Sequence, residues 1–176
     1  LLINHISTIP AGSGVYFEDS IQNNLTENRI DKNFDQGIEL ENSSRNILGN
    51  NTVRQNPKGI VISGIGEENL LSGNVVSGGD VGILLQGADK NTLAENVLTK
   101  TVTHGIYLNS STKNDLIGND LFDCPEGIFL VDCRNNNLSR NQLQDVKNGI
   151  VVQNSSQNDI GKNIIIRSLL GIKLDR

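Results

Sequence analysis

The stretch Gly105-Ile106-Tyr107-Leu108-Asn109-Ser110-Ser111-Thr112-Lys113-Asn114-Asp115-Leu116-Ile117-Gly118-Asn119-Asp120-Leu121 decides the fold, because its spacing recurs along the chain. Counting from Gly105 as zero, Ile106 and Leu108 alternate with Tyr107 and Asn109. That is the period of a strand with one buried face. Asn114 follows at position 9, Leu116 at 11, Asn119 at 14 and Leu121 at 16. A Gly followed by Ile or Val recurs at Gly14, Gly37, Gly59, Gly82, Gly105, Gly127, Gly149 and Gly171, in steps of 22 or 23 residues. Position 3 is aliphatic or Phe throughout, from Phe17 and Leu40 to Val152 and Leu174. One Asn column reads Asn23, Asn46, Asn69, Asn91, Asn114, Asn136, Asn158; a second reads Asn28, Asn51, Asn74, Asn96, Asn119, Asn141, Asn163. The third repeat reaches Asn69 one step late, through an extra residue near Gly66.

Each repeat holds about three short strands. Stacked at roughly 4.8 Å, each strand pairs with its counterpart in the next coil, parallel and in register. The aliphatic columns then fill a narrow interior. The Asn columns are expected at bends, where Asn tolerates left-handed backbone and stacks into amide ladders. Gly zero is expected at the remaining corner. This predicts an all-β, single-stranded parallel β-helix, a solenoid of about seven coils. The leucine-rich repeat also uses Asn, but its L-x-x-L-x-L spacing is absent. The expected organisation is one domain over 1–176, with a partial first coil at 1–13, seven full coils at 14–170, and a further coil starting at 171–176. Asn4 and Ile6 fall in the last two columns of that first coil. With no Met present, the reading is of a piece of a longer protein.

Composition agrees. The 176 residues are 36% hydrophobic but only 3% aromatic, with 18 Gly and no Trp. Fourteen of the 25 Asn lie in the two ladders, two per coil over seven coils. Asn and Gly are poor helix formers, which argues against a bundle. Net charge is −5 and the basic residues are scattered, so nucleic acid is not expected as a partner. No stretch is apolar enough for a membrane span. Leu1-Leu2-Ile3 is too short for a signal-peptide core. Cys133 falls in a column of small residues with Ser43, Ala88 and Ser111, and Cys124 lies on another side of the coil. No disulfide is expected between them.

The run from Gly105 to Asn119 resembles the repeats of NosD-like proteins, and the wider group of carbohydrate-binding and sugar-hydrolase β-helix domains. The resemblance spans about residues 14–176. It implies a right-handed helix and an extracytoplasmic, periplasmic or cell-surface setting, often with a polysaccharide. NosD itself implies a periplasmic accessory role in copper-site maturation. Related enzymes are pectate lyases, polygalacturonases and mannuronan epimerases. Their R-x-P-x-x-R, N-T-D and Tyr-Gly-Phe-Asp-Pro-His runs are absent. No catalytic residue is therefore assigned, and no resident cofactor is expected.

Function must come from outward positions 2 and 4 of the first strand. Leu84, Tyr107, Phe129 and Val151 form an outward apolar stripe on successive coils, with Val131 beside it. Apolar contiguity on an outer face marks a binding surface. Tyr107 and Phe129 are read as sugar-stacking rings, with Gln86, Asn109 and Gln153 as hydrogen-bonding neighbours. The competing readings are a protein-partner or self-association face. Glu18, Asp19, Glu39 and Glu41 form an acidic cluster near the amino-terminal end. Glu39 and Glu41 are counted with the substrate-binding set. They would also be the carboxylates of a lyase, epimerase or hydrolase, or with Glu18 a calcium site. His104 reads as a lone surface histidine.

Overall fold

The short strands of each coil follow from alternating side chains, and its bends from left-handed residues between them. The computed structural model describes residues 4–176. All of its regular structure is β, in three parallel sheets of eight, seven and eight strands. Each strand pairs with its counterpart one coil away, as in Ile83↔Ile106↔Ile128 and Leu93↔Leu116↔Leu138. The solenoid therefore has about eight turns. The partial coil at the start supplies His5–Ser7, which pairs with Arg29–Asp31 and completes one sheet. Asn4 Nδ2 donates to Asn28 Oδ1 at 2.9 Å, so that coil joins the second Asn ladder. Residues 1–3 lie outside the described residues.

The interior is the predicted set of aliphatic columns. Ile38, Ile60, Ile83, Ile106, Ile128 and Ile150 are fully buried, as are Leu48, Leu71, Leu93, Leu116 and Leu138. The space between three sheets admits one aliphatic layer per strand, which accounts for the shortage of aromatics.

Both Asn ladders are present. Asn119 is typical: its Oδ1 accepts the backbone N–H of Asn96 and its Nδ2, both at 3.0 Å. Its own Nδ2 donates to Leu93 O at 2.8 Å and to Asn141 Oδ1 at 2.9 Å. Every polar atom of a buried amide is thereby satisfied, as burial demands. The left-handed residue, however, is not the Asn but the one before it. Lys113, Arg140 and Lys162 have φ of 57°, 57° and 62°. That residue turns the chain so that the following Asn points inward. A third corner column, Asn33, Asn56, Gly79, Thr101, Cys124, Val146, lies outside the sequence prediction. Asn33 N and Nδ2 donate to Asn56 Oδ1 at 2.8 and 3.0 Å, but this ladder ends after two rungs.

Gly zero also differs from expectation. It lies inside a six-residue strand, as Gly105 does in His104–Asn109. A Cβ on Gly105 would stand 2.5 Å from Leu121 Cδ2 and 2.8 Å from Gly127 O. The glycine is required by close approach to the next coil rather than by a turn. The extra residue of the third repeat is Ile65, extruded and 77% exposed, while Gly66 keeps the inward place. Cys124 and Cys133 are free, buried and in different corner columns.

Candidate ligand-binding face

Long strands Val81–Gln86, His104–Asn109, Glu126–Val131 and Asn148–Gln153 lie side by side and present one outer face. Register pairing sets Leu84, Tyr107, Phe129 and Val151 in a row, with Gln86, Asn109, Val131 and Gln153 in the next. The four stripe residues are therefore neighbours, but Leu84 and Val151 are buried. Val61, Val81 and Leu84 are buried by their neighbours and pack against Tyr107. Tyr107 and Phe129 stay half-buried, with centroids 5.4 Å apart and planes tilted by 57°.

His104 joins them. Its ring stacks on Tyr107 at 4.8 Å with planes 19° apart, and lies 5.2 Å from Phe129. The sequence reads His104 as a lone surface histidine, and strict alternation back from Ile106 would turn it away from Tyr107. The glycine breaks the alternation: Gly105 and Ile106 both face the interior, so the residue before the glycine faces out. The signal available was the column Lys58, Val81, His104, Glu126, Asn148.

The electrostatics of the cluster follow from burial. Desolvation pulls the His104 pKa below the ordinary imidazole value, opposed by the Glu126 charge in the next coil. The imidazole is therefore neutral at pH 7. Thr103 Oγ1 donates its one proton to Asp80 O at 2.7 Å and lies 3.0 Å from His104 Nδ1. Nδ1 then carries the ring hydrogen, which leaves Nε2 as an acceptor. Burial also raises the Tyr107 phenol, with smaller contributions from Cys133 and Asp132. Glu126 accepts a hydrogen bond from Asn148 Nδ2 at 2.7 Å.

Glu39 and Glu41 lie elsewhere. They occupy the same face, but Val61 and Leu84 separate Glu39 from Tyr107 along the row. That is three rungs, or roughly 14 Å at strand spacing. Glu41 stacks on Glu18 as predicted. Both site carboxylates are engaged locally. Ser13 Oγ donates to Glu39 at 2.6 Å, and the Tyr16 hydroxyl donates to Glu41. The bond to Glu41 pushes the Tyr16 phenol up to about 12, helped by burial and by the nearby Glu18 and Glu39. Among the described residues, no group of three or more His, Cys, Asp or Glu is placed to hold a metal ion. No described helix is long and apolar enough to cross a membrane.

The fold is similar to that of the periplasmic alginate epimerase AlgG, at 22% identity and a TM-score of 0.73, covering 93% of this chain and 46% of that one. It is also similar to the A-module of the Azotobacter vinelandii mannuronan C-5 epimerase AlgE6, at 13% identity and a TM-score of 0.68, covering 99% and 56%. The chain thus spans about half the length of each. No curated protein matches the sequence. The sequence model of the NosD family, described as a periplasmic copper-binding protein, matches residues 3–124 and 101–176.

Copper in proteins takes Cys, Met or His donors. This chain has no Met. Both thiols are buried in separate corners, where desolvation raises their pKa. His104 is in the ring cluster, and His5 Nε2 lies 3.3 Å from Asp31 in the first coils. This donor set does not fit a copper centre. The family match nonetheless runs over almost every coil, and the chain belongs to the NosD family of right-handed parallel β-helix proteins.

Proposed function

We propose that the outer face of the long-strand sheet, from Val81 to Gln153, binds a polysaccharide outside the cytoplasm. The observation that carries this reading is the cluster of His104, Tyr107 and Phe129 beside a row of outward amides. Rings offer an apolar body to the C–H face of a sugar. Gln86, Asn109 and Gln153 offer both donors and acceptors to its hydroxyls. Consecutive coils repeat at strand spacing, so an extended chain lying along the solenoid axis meets ring or amide at each step. The periplasmic description of the family supports the extracytoplasmic setting.

Binding rather than turnover is the preferred reading. Glu39 and Glu41 are tied to Ser13 and Tyr16, three rungs from the rings. A second reading, docking of a protein partner, is supported by family membership and by the close-packed Val61, Leu84 and Val151 along the stripe. Retention on a panel of insoluble glycans separates the two. Tyr107→Ala and Phe129→Ala should each weaken retention at least tenfold, about 1.4 kcal/mol. Retention indifferent to both substitutions, or none on any glycan, would sink the polysaccharide reading.

A further inference from the structure

We infer that the chain taken by this face is a neutral, hydroxyl-rich glycan and not a polyuronate. The inference rests on the reading of the face as glycan-binding and concerns the class of ligand. It matters because the solved relatives are named for alginate and mannuronan, which carry a carboxylate on each sugar.

The face carries almost no charge. Strands Val81–Gln86 to Asn148–Gln153 present three outward columns. Among the residues in them, Glu126 is the one acidic side chain, and there is no Lys or Arg. The nearest cation in these columns on one side is Lys58, in the coil before. On the other side it is Lys173, in the coil after, already paired with Asp175 at 2.6 Å. Beside the strand ends stand Asp80, Asp132 and Lys147, and the wider corners, Lys113 and Arg134 among them, balance acid against base, so the flanks add no net positive charge. The chain as a whole stands at −5.

A uronate laid on Tyr107 and Phe129 would desolvate its carboxylates against apolar side chains and Glu126, with no cation in the outward columns of these four strands to receive them. Burying an unpaired charge is strongly unfavourable. Polyanion recognition characteristically uses Arg or Lys. The polar groups that are present suit hydroxyls instead. Gln86 and Asn109 stand on adjacent rungs, and each amide both donates and accepts. His104 adds an acceptor at Nε2, its Nδ1 hydrogen being directed to Thr103. Burial keeps that imidazole uncharged, so it lends no positive charge at neutral pH.

Affinity electrophoresis of the chain in native gels tests this. The neutral probes are galactomannan, hydroxyethylcellulose and mixed-linkage β-glucan; the anionic probes are alginate and polygalacturonate. Each is run at low and at physiological salt. At least one neutral polymer should retard the protein ten times more strongly than either polyuronate. That retardation should be lost in Tyr107→Ala and Phe129→Ala. Phe129→Leu keeps apolar bulk and removes the ring; it should lose retardation while circular dichroism reports an intact fold. Retardation by a polyuronate equal to or above the neutral polymers, and sensitive to the ring substitutions, overturns the neutral-ligand inference and leaves the glycan-binding face standing. Neutral retardation indifferent to all three variants, or none by any polymer, overturns both.

Discussion

Asn119 shows how much one polar side chain carries in this architecture. Its amide makes four hydrogen bonds spanning three coils, all buried. Asn119→Ala would orphan the buried backbone N–H of Asn96 and remove the amide's bonds to Asn96 Nδ2, Leu93 O and Asn141 Oδ1. A loss of about 3 kcal/mol is expected, each buried group left without a partner costing about 1–3. Asn163 is half-buried near the last coil and shares its bonds with fewer neighbours. Asn163→Ala also frees the Asn141 N–H, but at a half-buried position that water reaches, so it should cost less, about 1–2 kcal/mol. Urea unfolding of the two variants checks the ordering. Tyr16 offers a second test at this scale. With Tyr107→Phe as background, Tyr16 is the remaining tyrosine. Its ultraviolet titration should have a midpoint at about 12. Adding Glu41→Gln removes the largest cause and should bring the midpoint back toward 10.0.

Within the strand His104–Asn109, Gly105 sets both packing and side-chain direction. A Cβ at Gly105 meets the tip of the Leu121 side chain and the backbone carbonyl of Gly127, and that backbone cannot retreat without moving a coil. Gly105→Ala should therefore cost roughly 1–3 kcal/mol, the range for overpacking a tight core. At Gly161 the nearest atom to an added Cβ is Asp159 Oδ1 at 3.8 Å. Gly161→Ala should be neutral or slightly stabilising in thermal melts. Because Gly105 lets His104 face outward, the ring cluster also carries a pH dependence. Desolvation lowers the folded-state pKa of His104 below its ordinary 6.5. As pH falls through 6.5, the unfolded chain takes up this proton first, so the folded state loses stability. The contribution is complete above 6.5 and declines in the window beneath it. Wild-type chain should lose more stability than His104→Gln between pH 7 and 5, measured by urea midpoints; equal losses would remove His104 from the account.

Across the whole molecule each coil touches mainly its neighbours, so stability is nearly a sum over interfaces. Hydrogen exchange should show the deepest protection in the central coils, around Leu71 to Leu116, and fraying in the outermost ones. Uniform protection from end to end would point to a single cooperative unit instead. The columns Ile38 to Ile150 and Asn23 to Asn158 were legible in the sequence because stacked coils face identical neighbours, so the same residue solves the same packing problem every 22 or 23 positions. Tyr107, Phe129, Asn109 and Gln86 were legible as neighbours for the same reason: register follows from the period. Periodicity says nothing about residues whose neighbours change from coil to coil. The corner column from Asn33 to Val146 varies in type, and left-handed backbone at Lys113 or Arg140 has no characteristic residue. The membership of His104 in the ring cluster depends on a break in alternation at glycine, a backbone property and not a composition. The engagement of Glu39 by Ser13 and of Glu41 by Tyr16 depends on side-chain reach between coils. Sequence alone determined the solenoid, its core and its ladders, because repetition converts a one-dimensional period into contact. Tertiary structure alone decided which outward residues meet, because that depends on local bends and rotamers that the period does not encode.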